Sequence, residues 1–357
     1  MHVIALSNQK GGCGKTTSAI NIAASFASLG RRTLLVDLDP QAHATFGLGV
    51  RGESLKASIY NVLTEQAEKK QNFVERVILP IGEYLDLVPS HILLSTIEQE
   101  FTSKDESVSR LYEALRNLSF PYEFVVIDCP PSLGFLTFNA LRASQTVIVP
   151  IELGSFSLMG VGKLLSMIEL IRVKIQHTPK VLALPTMVDM RTRFAKRMIE
   201  EIRQTFGEQV LSSLVRHTVA VRESQARGLP LIQFDKRSKG AIDYLILSQE
   251  ILNRVAESPS FEAMGRTSAQ DERLRDFMFR SAGAKEVHLV GDFNGWQVTS
   301  DSLLWPTEEG LWQKRLFLHP GRYRYKFVID GEWTTDPSND RLEPNPYGGL
   351  DSVLEIN

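Results

Sequence analysis

The octet Lys10-Gly11-Gly12-Cys13-Gly14-Lys15-Thr16-Thr17 lies just after the apolar run Val3-Ile4-Ala5-Leu6. An apolar strand that leads into a glycine-rich turn and then a helix aims backbone N–H groups and a helix N-terminus at one point. A chain of phosphates suits such a site. The octet therefore predicts a phosphate-binding loop at the start of a mostly parallel α/β sheet.

The loop departs from the usual pattern G-x-x-x-x-G-K-[ST] in its first residues. Gln9 stands where the first glycine is expected, and Lys10 adds a second lysine at the opening of the loop. Lys10 cannot easily reach phosphates that its own loop holds. We therefore expect its side chain to reach a nucleotide held by a second copy of the protein.

The composition is that of an ordinary globular protein, with 43% apolar and 23% charged residues among 357. The net charge of -2 means that any nucleic-acid contact must come from a local patch. With only Cys13 and Cys129, a disulfide framework is excluded and a reducing compartment is favoured. Without a secretory leader or an apolar stretch near the ~20 residues of a membrane span, we expect a cytoplasmic protein.

From residue 1 to 256, short β-branched runs alternate with amphipathic segments, which predicts a parallel sheet with helices on both faces. The apolar run Phe124-Val125-Val126-Ile127 indicates a strand buried on both sides. The predicted strands are Val3-Leu6, Thr33-Asp37, Leu85-Val88, Glu123-Asp128, Thr146-Pro150 and Val181-Pro185. The predicted helices are Thr16-Leu29, Ser107-Leu118, Gly134-Ala143, Leu158-Val173, Arg193-Phe206 and Lys239-Val255.

Residues 257–273 lack regular periodicity and predict a linker between a domain at 1–256 and another at 274–357. All four tryptophans lie beyond this linker. Turn signals such as Asn294-Gly295 and Asp330-Gly331 separate short runs of alternating polarity there. This pattern predicts a small all-β, immunoglobulin-like sandwich.

Carboxylates follow two of the predicted strands. Asp37 and Asp39 end the second strand on one side, at the sheet edge where open α/β folds bind ligands. Asp128 ends another strand and can hold a Mg²⁺-bound water, with Thr16 giving its hydroxyl to the same metal. Lys15 would bridge the β- and γ-phosphates, and Asp39 would orient the attacking water. The candidate magnesium residues are Thr16, Asp39 and Asp128, and the candidate catalytic residues are Lys10, Lys15 and Asp39.

Together with this loop, the segments Val36-Asp37-Leu38-Asp39-Pro40-Gln41-Ala42 and Val126-Ile127-Asp128-Cys129-Pro130-Pro131-Ser132 resemble the ParA/MinD ATPases with a deviant phosphate loop. The match is closest to the ParA (Soj) branch and covers about residues 1–256. It implies a homodimer bound to ATP and Mg²⁺, in which Lys10 contacts the partner's nucleotide. It also implies non-specific DNA binding, and hence nucleoid association, in the ATP state. Hydrolysis, stimulated by a partner protein, then releases the DNA.

The resemblance also assigns individual residues. The family's DNA-binding arginine matches Arg222, and Arg193, Lys196 and Arg197 are nearby candidates for a salt-sensitive, sequence-independent patch. A solvated helix face is the alternative for these cations. The candidate nucleotide contacts are Lys10, Gly11, Gly12, Cys13, Gly14, Lys15, Thr16 and Thr17, with Met187, Asp189 and Pro230 for the adenine. No MinD-type membrane helix is evident after Ile251-Ala256, so we expect no membrane contact.

Residues 274–357 resemble the glycogen-binding module of the AMP-activated kinase beta subunit and related early-set domains. The similarity is carried by segments around Gly291-Asp292-Phe293-Asn294-Gly295-Trp296 and Lys326, and by Trp333. It implies that Trp296, Trp333 and Lys326 form a sugar platform. The segment Tyr347-Gly348-Gly349-Leu350-Asp351 departs from the apolar plug and asparagine of that family, although Tyr347 could still stack on a sugar. Binding of α-glucan and contact with another protein both stay open.

The leading interpretation is a ParA-type ATPase that positions or partitions a chromosome, plasmid or cellular assembly, with the C-terminal domain as a glucan or cargo adaptor. The alternative is a nucleotide-regulated glycogen or α-glucan sensor or scaffold. A third class, the ATP-dependent reductases with related loops, requires cysteines that bridge a metal cluster across the dimer. Cys13 and Cys129 do not suit that role, because one belongs to the loop and the other to a tight turn.

Overall fold

The computed structural model describes residues 1–52, 55–65, 73–97, 109–154, 159–175, 177, 179–256, 273–299, 302–308, 310–318, 321–345 and 347–356. The chain divides into two compact units, Met1–Met264 and Gly265–Asn357. Each unit has its own buried apolar core. The predicted linker falls outside the described residues except for Arg273, and so do Ser107 and Leu158, where two predicted helices were expected to begin.

The first unit contains a seven-stranded sheet in the order β3-β4-β2-β5-β1-β6-β7. All neighbouring strands are parallel except β3 and β4. The strands are β1 His2–Leu6, β2 Thr33–Asp37, β3 Leu79–Gly82, β4 Leu85–Val88, β5 Phe124–Asp128, β6 Thr146–Glu152 and β7 Lys180–Thr186. The six predicted strands are confirmed, each within two residues at its ends. Strand β3 was not predicted, because it contains Pro80 and Gly82 and neither residue favours a strand.

Side chains of the central strand β1 point alternately into two cores. Val3 and Ala5 pack against one set of helices, whereas Ile4 and Leu6 pack against another. All residues of β1, β2, β4 and β5 are buried. Burial on both faces is what a parallel sheet between two helix layers requires, and it confirms the predicted α/β class.

The helices of this unit are α1 Lys15–Ser28, α2 His43–Gly47, α3 Ile59–Glu65, α4 Arg110–Arg116, α5 Phe135–Ala143, α6 Met159–Ile175, α7 Arg193–Phe206, α8 Val219–Ala226, α9 Leu231–Phe234 and α10 Lys239–Val255. Six of them overlap the predicted helices. The other four, α2, α3, α8 and α9, span eight residues or fewer and carry too short a periodic pattern to be predicted. In the part of the chain that the structure describes, none of the helices is long and apolar enough to cross a membrane.

Helix α7 is strongly amphipathic. Its N-cap Thr192 accepts a hydrogen bond from the Ala195 N–H, and the helix ends at Gly207, whose φ of 54° is left-handed. Ala195, Met198 and Ile202 are among the residues on its buried face. The opposite face is therefore free to present charged side chains.

The second unit is built from antiparallel strands. Its strands are β8 Arg273–Arg280, β9 Val287–Gly291, β10 Trp305–Glu308, β11 Leu311–Leu318, β12 Gly321–Ile329, β13 Glu332–Thr334, β14 Leu342–Pro344 and β15 Leu350–Ile356. One sheet has the order β10-β11-β8, and the other has the order β13-β12-β15-β14 with β9 also paired to β12. Phe277 of one sheet packs edge-on against Tyr325 of the other, with ring centroids 5.1 Å apart. The predicted all-β C-terminal domain is confirmed.

Stability at mildly acidic pH should depend on His2. Burial lowers the pKa of His2 to about 4, and its Nε2 lies 2.9 Å from Thr146 Oγ1. Because the unfolded chain takes up the proton near pH 6.5, this residue stabilises the fold above that pH, and its contribution is lost as pH falls toward 4. Chemical denaturation at pH 7 and at pH 4 should show that the wild type loses up to about 3 kcal/mol more stability than His2→Gln loses. The exposed His43→Gln control should retain the loss, and an equal loss in His2→Gln would contradict this assignment.

Candidate functional site

The phosphate-binding loop connects β1 to α1 at the carboxyl edge of the sheet. Its backbone is left-handed at Gly12, with φ 74°, and at Gly14, with φ 91°, which L side chains rarely adopt. A Cβ added at Gly11 or Gly12 would meet no atom within 4 Å, so the surface of the loop is open there. Thr186 Oγ1 donates to the Cys13 carbonyl oxygen at 2.8 Å and ties the loop to the end of β7.

Both loop lysines are held by oxygens of their own chain. Lys15 is buried, and its Nζ donates to the Lys10 carbonyl oxygen at 3.0 Å. The Lys10 Nζ lies 2.6 Å from Glu152 Oε2 at the end of β6, and about a third of each side chain is exposed, 32% and 35%. The two ammonium groups therefore lie at one end of the sheet with different exposure.

The two cysteines are buried inside the nucleotide motifs. Cys13 Sγ donates to the Lys10 carbonyl oxygen at 3.2 Å, and Cys129 is fully buried at the end of β5. Burial raises the pKa of both thiols. Neither side chain is accessible for a metal cluster shared with a second subunit.

Asp128 is a fully buried carboxyl group at the end of β5. Among the residues that the structure describes, neither of its oxygens has a hydrogen-bond partner that meets normal geometry. Burial and the charge of Asp37 raise its pKa well above the usual value, while the Thr16 hydroxyl and the Lys15 ammonium act in the opposite direction. Because an unpaired buried carboxylate is costly, this position is suited to a cation.

Asp37 and Asp39 occupy the same strand end but have different surroundings. Asp37 accepts hydrogen bonds from the Asp39 N–H at 3.2 Å and from the N–H and hydroxyl of Thr45, both at 2.7 Å. Asp37 is therefore committed to the turn that leads into α2. The Asp39 carboxylate accepts a hydrogen bond from the Gln41 N–H at 2.9 Å, and its side chain is buried at the same strand end.

The donor set fits Mg²⁺ better than a transition metal. Within the described ranges, no group of three or more His, Cys, Asp or Glu side chains could hold a metal ion. Mg²⁺ needs fewer protein ligands, because it keeps several waters and also takes phosphate oxygens. The Thr16 hydroxyl near the unpaired Asp128 carboxylate meets that smaller requirement.

A cavity of about 180 Å³ opens beside the loop and is lined by Gly14, Thr17, Met187 and Arg222, among others. Residues that the sequence did not suggest also line it, namely His217, Thr218 and Gln225. Gln225 Nε2 donates to Thr17 Oγ1 at 2.9 Å, which joins α8 to the first turn of α1. Helix α8 has only eight residues, which is too short for a clear periodic pattern in the sequence. These contacts could therefore not be predicted.

The other two adenine candidates do not line this cavity. Asp189 is partly exposed and accepts two hydrogen bonds from the Arg191 guanidinium, which hold the pKa of Asp189 at about 2. Pro230 is the N-cap residue of α9. Of the three positions taken from the family resemblance, Met187 is the one that the structure brings to the loop.

The predicted DNA-contacting cations lie on two helices. Arg193, Lys196 and Arg197 are exposed on α7, opposite its buried stripe. Arg222 is exposed on α8 and also lines the cavity beside the phosphate loop. Arg216, a neighbour in sequence, is instead paired with Asp243 at 2.6 Å.

The C-terminal unit presents two aromatic rings at a surface cavity of about 700 Å³. The rings of Trp296 and Trp333 are nearly parallel, at 24°, with centroids 6.4 Å apart. Trp333 is 49% exposed and Tyr347 is 95% exposed, so these aromatic side chains are not part of the core. Lys326 also lines the cavity, so all four predicted carbohydrate residues meet there.

Polar residues lie in and next to this cavity, and sequence reasoning missed Asn345 among them. Asp351 is buried, lies 3.4 Å from the Lys326 Nζ, and accepts a hydrogen bond from Asn345 Nδ2 at 2.8 Å. Asp292 accepts from the Trp296 indole N–H at 3.0 Å and from the Arg324 backbone N–H at 2.8 Å. These contacts fix the Lys326 ammonium and the Trp296 ring before any ligand arrives.

The fold and the loop together define a P-loop nucleoside-triphosphate-binding α/β domain, joined in one chain to an antiparallel β domain. A family model described as an AAA domain matches residues 1–181. A second model, described as the glycogen recognition site of AMP-activated protein kinase, matches residues 276–357.

Relatives identify the first unit more closely. The chromosome partitioning protein ParA of Myxococcus xanthus is 40% identical over 254 residues, which cover 71% of this chain and 88% of that protein. The sporulation initiation inhibitor protein Soj of Bacillus subtilis is 37% identical over 251 residues, covering 70% and 97%. The chain belongs to the ParA/Soj family of ParA/MinD-type P-loop ATPases.

A solved structure shares this fold. Cobyrinic acid a,c-diamide synthase from Mycobacterium smegmatis, with bound ADP and magnesium, matches with a TM-score of 0.62 at 32% sequence identity. The match covers 72% of this chain and 97% of the synthase.

Proposed function

We propose that this protein is a Mg²⁺-dependent ATPase that dimerises with ATP, binds DNA non-specifically in that state, and positions or partitions a cargo. The observation that carries this proposal is the pair of lysines in one phosphate loop, with Lys15 buried and Lys10 partly exposed. Lys15 would serve the loop's own phosphates. The other can be reached by a second chain.

The nucleotide would be held by the open loop and by Lys15. To contact the phosphates, the Lys15 ammonium exchanges the Lys10 carbonyl oxygen for phosphate oxygens, which offer stronger, charge-assisted hydrogen bonds. Thr16 and Asp128 would hold the metal ion, which neutralises charge on the β- and γ-phosphates. Binding of ADP and magnesium by the 32% identical synthase supports this assignment.

Asp39 is the residue we assign to the attacking water. Asp37 already accepts hydrogen bonds from Thr45 and the Asp39 N–H, and Asp128 is assigned to the metal ion. The Asp39 carboxylate accepts from the Gln41 N–H and has acceptor capacity left for a water. Its carboxylate can accept a hydrogen bond from a water and orient that water toward the γ-phosphate.

DNA binding would come from the exposed cations of α7 and from Arg222. Four phosphate contacts in each subunit would give a steep dependence of affinity on salt, and a dimer would double the number of contacts. The position of Arg222 at the nucleotide cavity supports coupling between the two ligands. Release would follow hydrolysis stimulated by a partner protein, which gives a cytoplasmic protein that associates with the nucleoid in its ATP state.

We assign α-glucan as the ligand of the C-terminal cavity, and this unit as an adaptor for a glucan or another cargo. Nearly parallel indole rings offer flat surfaces to the C–H faces of glucose units, and Lys326 can donate to hydroxyl groups. The same cavity favours a second candidate function, a nucleotide-regulated glycogen or α-glucan sensor. The match to a glycogen recognition module supports both.

Asp39→Ala should trap the protein on DNA. Loss of the water-orienting carboxylate should lower the rate of phosphate release by about 100-fold or more, while ATP binding persists. Size-exclusion chromatography with light scattering should show a stable ATP dimer, and fluorescence anisotropy should show its salt-sensitive binding to DNA of unrelated sequences. Lys15→Ala should bind neither ATP nor DNA.

The exposed Asp340→Ala, on the second unit, is the matched control and should keep normal turnover. Normal turnover by Asp39→Ala would reassign the water-orienting residue. A trapped ATP dimer with no affinity for DNA would contradict the proposed function.

Trp296→Ala combined with Trp333→Ala should weaken binding to glycogen by about 10-fold or more, because the variant loses both stacking surfaces. Co-sedimentation with glycogen measures this, alongside ATP hydrolysis and DNA binding, which a partitioning ATPase should retain. The control is Met278→Ala, which removes an exposed apolar side chain on β8, in the sheet that does not contain Trp333. A wild-type chain that does not sediment with glycogen would leave protein contact as the role of this cavity, and a variant that loses its ATPase activity would favour the sensor.

A further inference from the structure

The carboxylate of Glu152 stands at a site whose expected ligand is a polyanion. Glu152 is the last residue of β6, the strand beside β1, and its Oε2 lies 2.6 Å from the Lys10 Nζ. A carboxylate that holds no cation repels phosphates at this range, and neither the metal ion nor the attacking water is assigned to Glu152. Its position therefore calls for another explanation.

The contact with Lys10 supplies that explanation. The backbone next to Lys10 is fixed, because the Lys10 N–H donates to Asn8 Oδ1 at 3.1 Å, and Asn8 Nδ2 donates to the Pro150 carbonyl oxygen at 2.7 Å. This places the start of the loop against β6. With its backbone held in this position, the Lys10 side chain contacts the Glu152 carboxylate.

We propose that Glu152 is the intrachain counter-ion of Lys10 and that it sets how readily ATP drives two copies of this chain together. This inference rests on the proposed cross-subunit role of Lys10. A Lys10 ammonium paired with Glu152 must leave that carboxylate before it can contact the partner's phosphates. Glu152 thus acts through Lys10 as a positioning residue and favours the monomer.

The size of the effect follows from the exposure of the pair. A partly exposed ion pair changes an equilibrium by about 2- to 5-fold. Each dimer breaks two such pairs, one per subunit, so the factors multiply. Glu152→Gln should therefore tighten the dimer dissociation constant by about 4- to 25-fold.

The test uses the full chain with a non-hydrolysable ATP analogue and Mg²⁺, so that turnover does not enter. Analytical ultracentrifugation measures the dimer dissociation constant, and titration at protein concentrations far below that constant measures the affinity of the monomer for the analogue. Glu152→Gln should tighten the dimer with less than about 2-fold change in the monomer's affinity. Glu152→Asp, which keeps the charge, should stay closer to the wild type.

The matched control is Glu123→Gln, which breaks the exposed Arg31–Glu123 pair of 2.9 Å at the opposite end of the sheet and should leave dimerisation unchanged. If wild type dimerises with the analogue and Glu152→Gln has the same dissociation constant, this inference is wrong while the proposed function stands. Tightening that is accounted for wholly by stronger binding of the analogue to the monomer also overturns it. A wild-type chain that remains monomeric with the analogue overturns both proposals.

Discussion

Two ammonium groups lie at the carboxyl ends of the central strands, and the site depends on how their charges are balanced. The left-handed backbone at Gly12 and Gly14 turns the chain so that Lys10 and Lys15 lie in one loop. Lys15 is balanced by a backbone carbonyl, and Lys10 by the carboxylate of Glu152. Both partners are oxygens that the phosphate oxygens of a triphosphate can replace. Each ammonium group is therefore held in position and can still bind phosphate.

The acidic side of the site complements this arrangement. The sheet places Asp128 directly beside Asp37 in register, yet only Asp37 is satisfied by hydrogen bonds. The Asp128 carboxyl group lies next to Thr16 at the start of α1. A cation there would stabilise the ionised carboxylate and would also neutralise phosphate oxygens, which is why we attribute the nucleotide and the metal to one site rather than two.

Much of this could be predicted from the sequence, because the information was local. The octet, the strand-ending aspartates and the apolar runs each depend on neighbours in the chain, and the fold places them as expected. The indole pair at Trp296 and Trp333 was anticipated through the family resemblance and meets in one cavity.

Contacts between distant segments could not be predicted. Glu152 reaches Lys10 only because β6 lies beside β1, and Gln225 reaches Thr17 only because a short helix folds over the loop. Asn345 was overlooked because its role depends on Asp351 and Lys326 lying nearby in space. Asp189 and Pro230 were assigned by resemblance alone and do not line the cavity beside the loop.

The most direct test of the central claim mixes two defective chains. Lys10→Ala keeps Lys15 and can hold ATP, whereas Lys15→Ala keeps Lys10 but cannot hold ATP. In a mixed dimer, Lys10 of the Lys15→Ala chain can contact the nucleotide held by the Lys10→Ala chain. Our account predicts that mixing restores ATP-dependent dimers and measurable turnover that neither variant shows alone. A mixture as inactive as its components would contradict a lysine that acts across the subunit boundary.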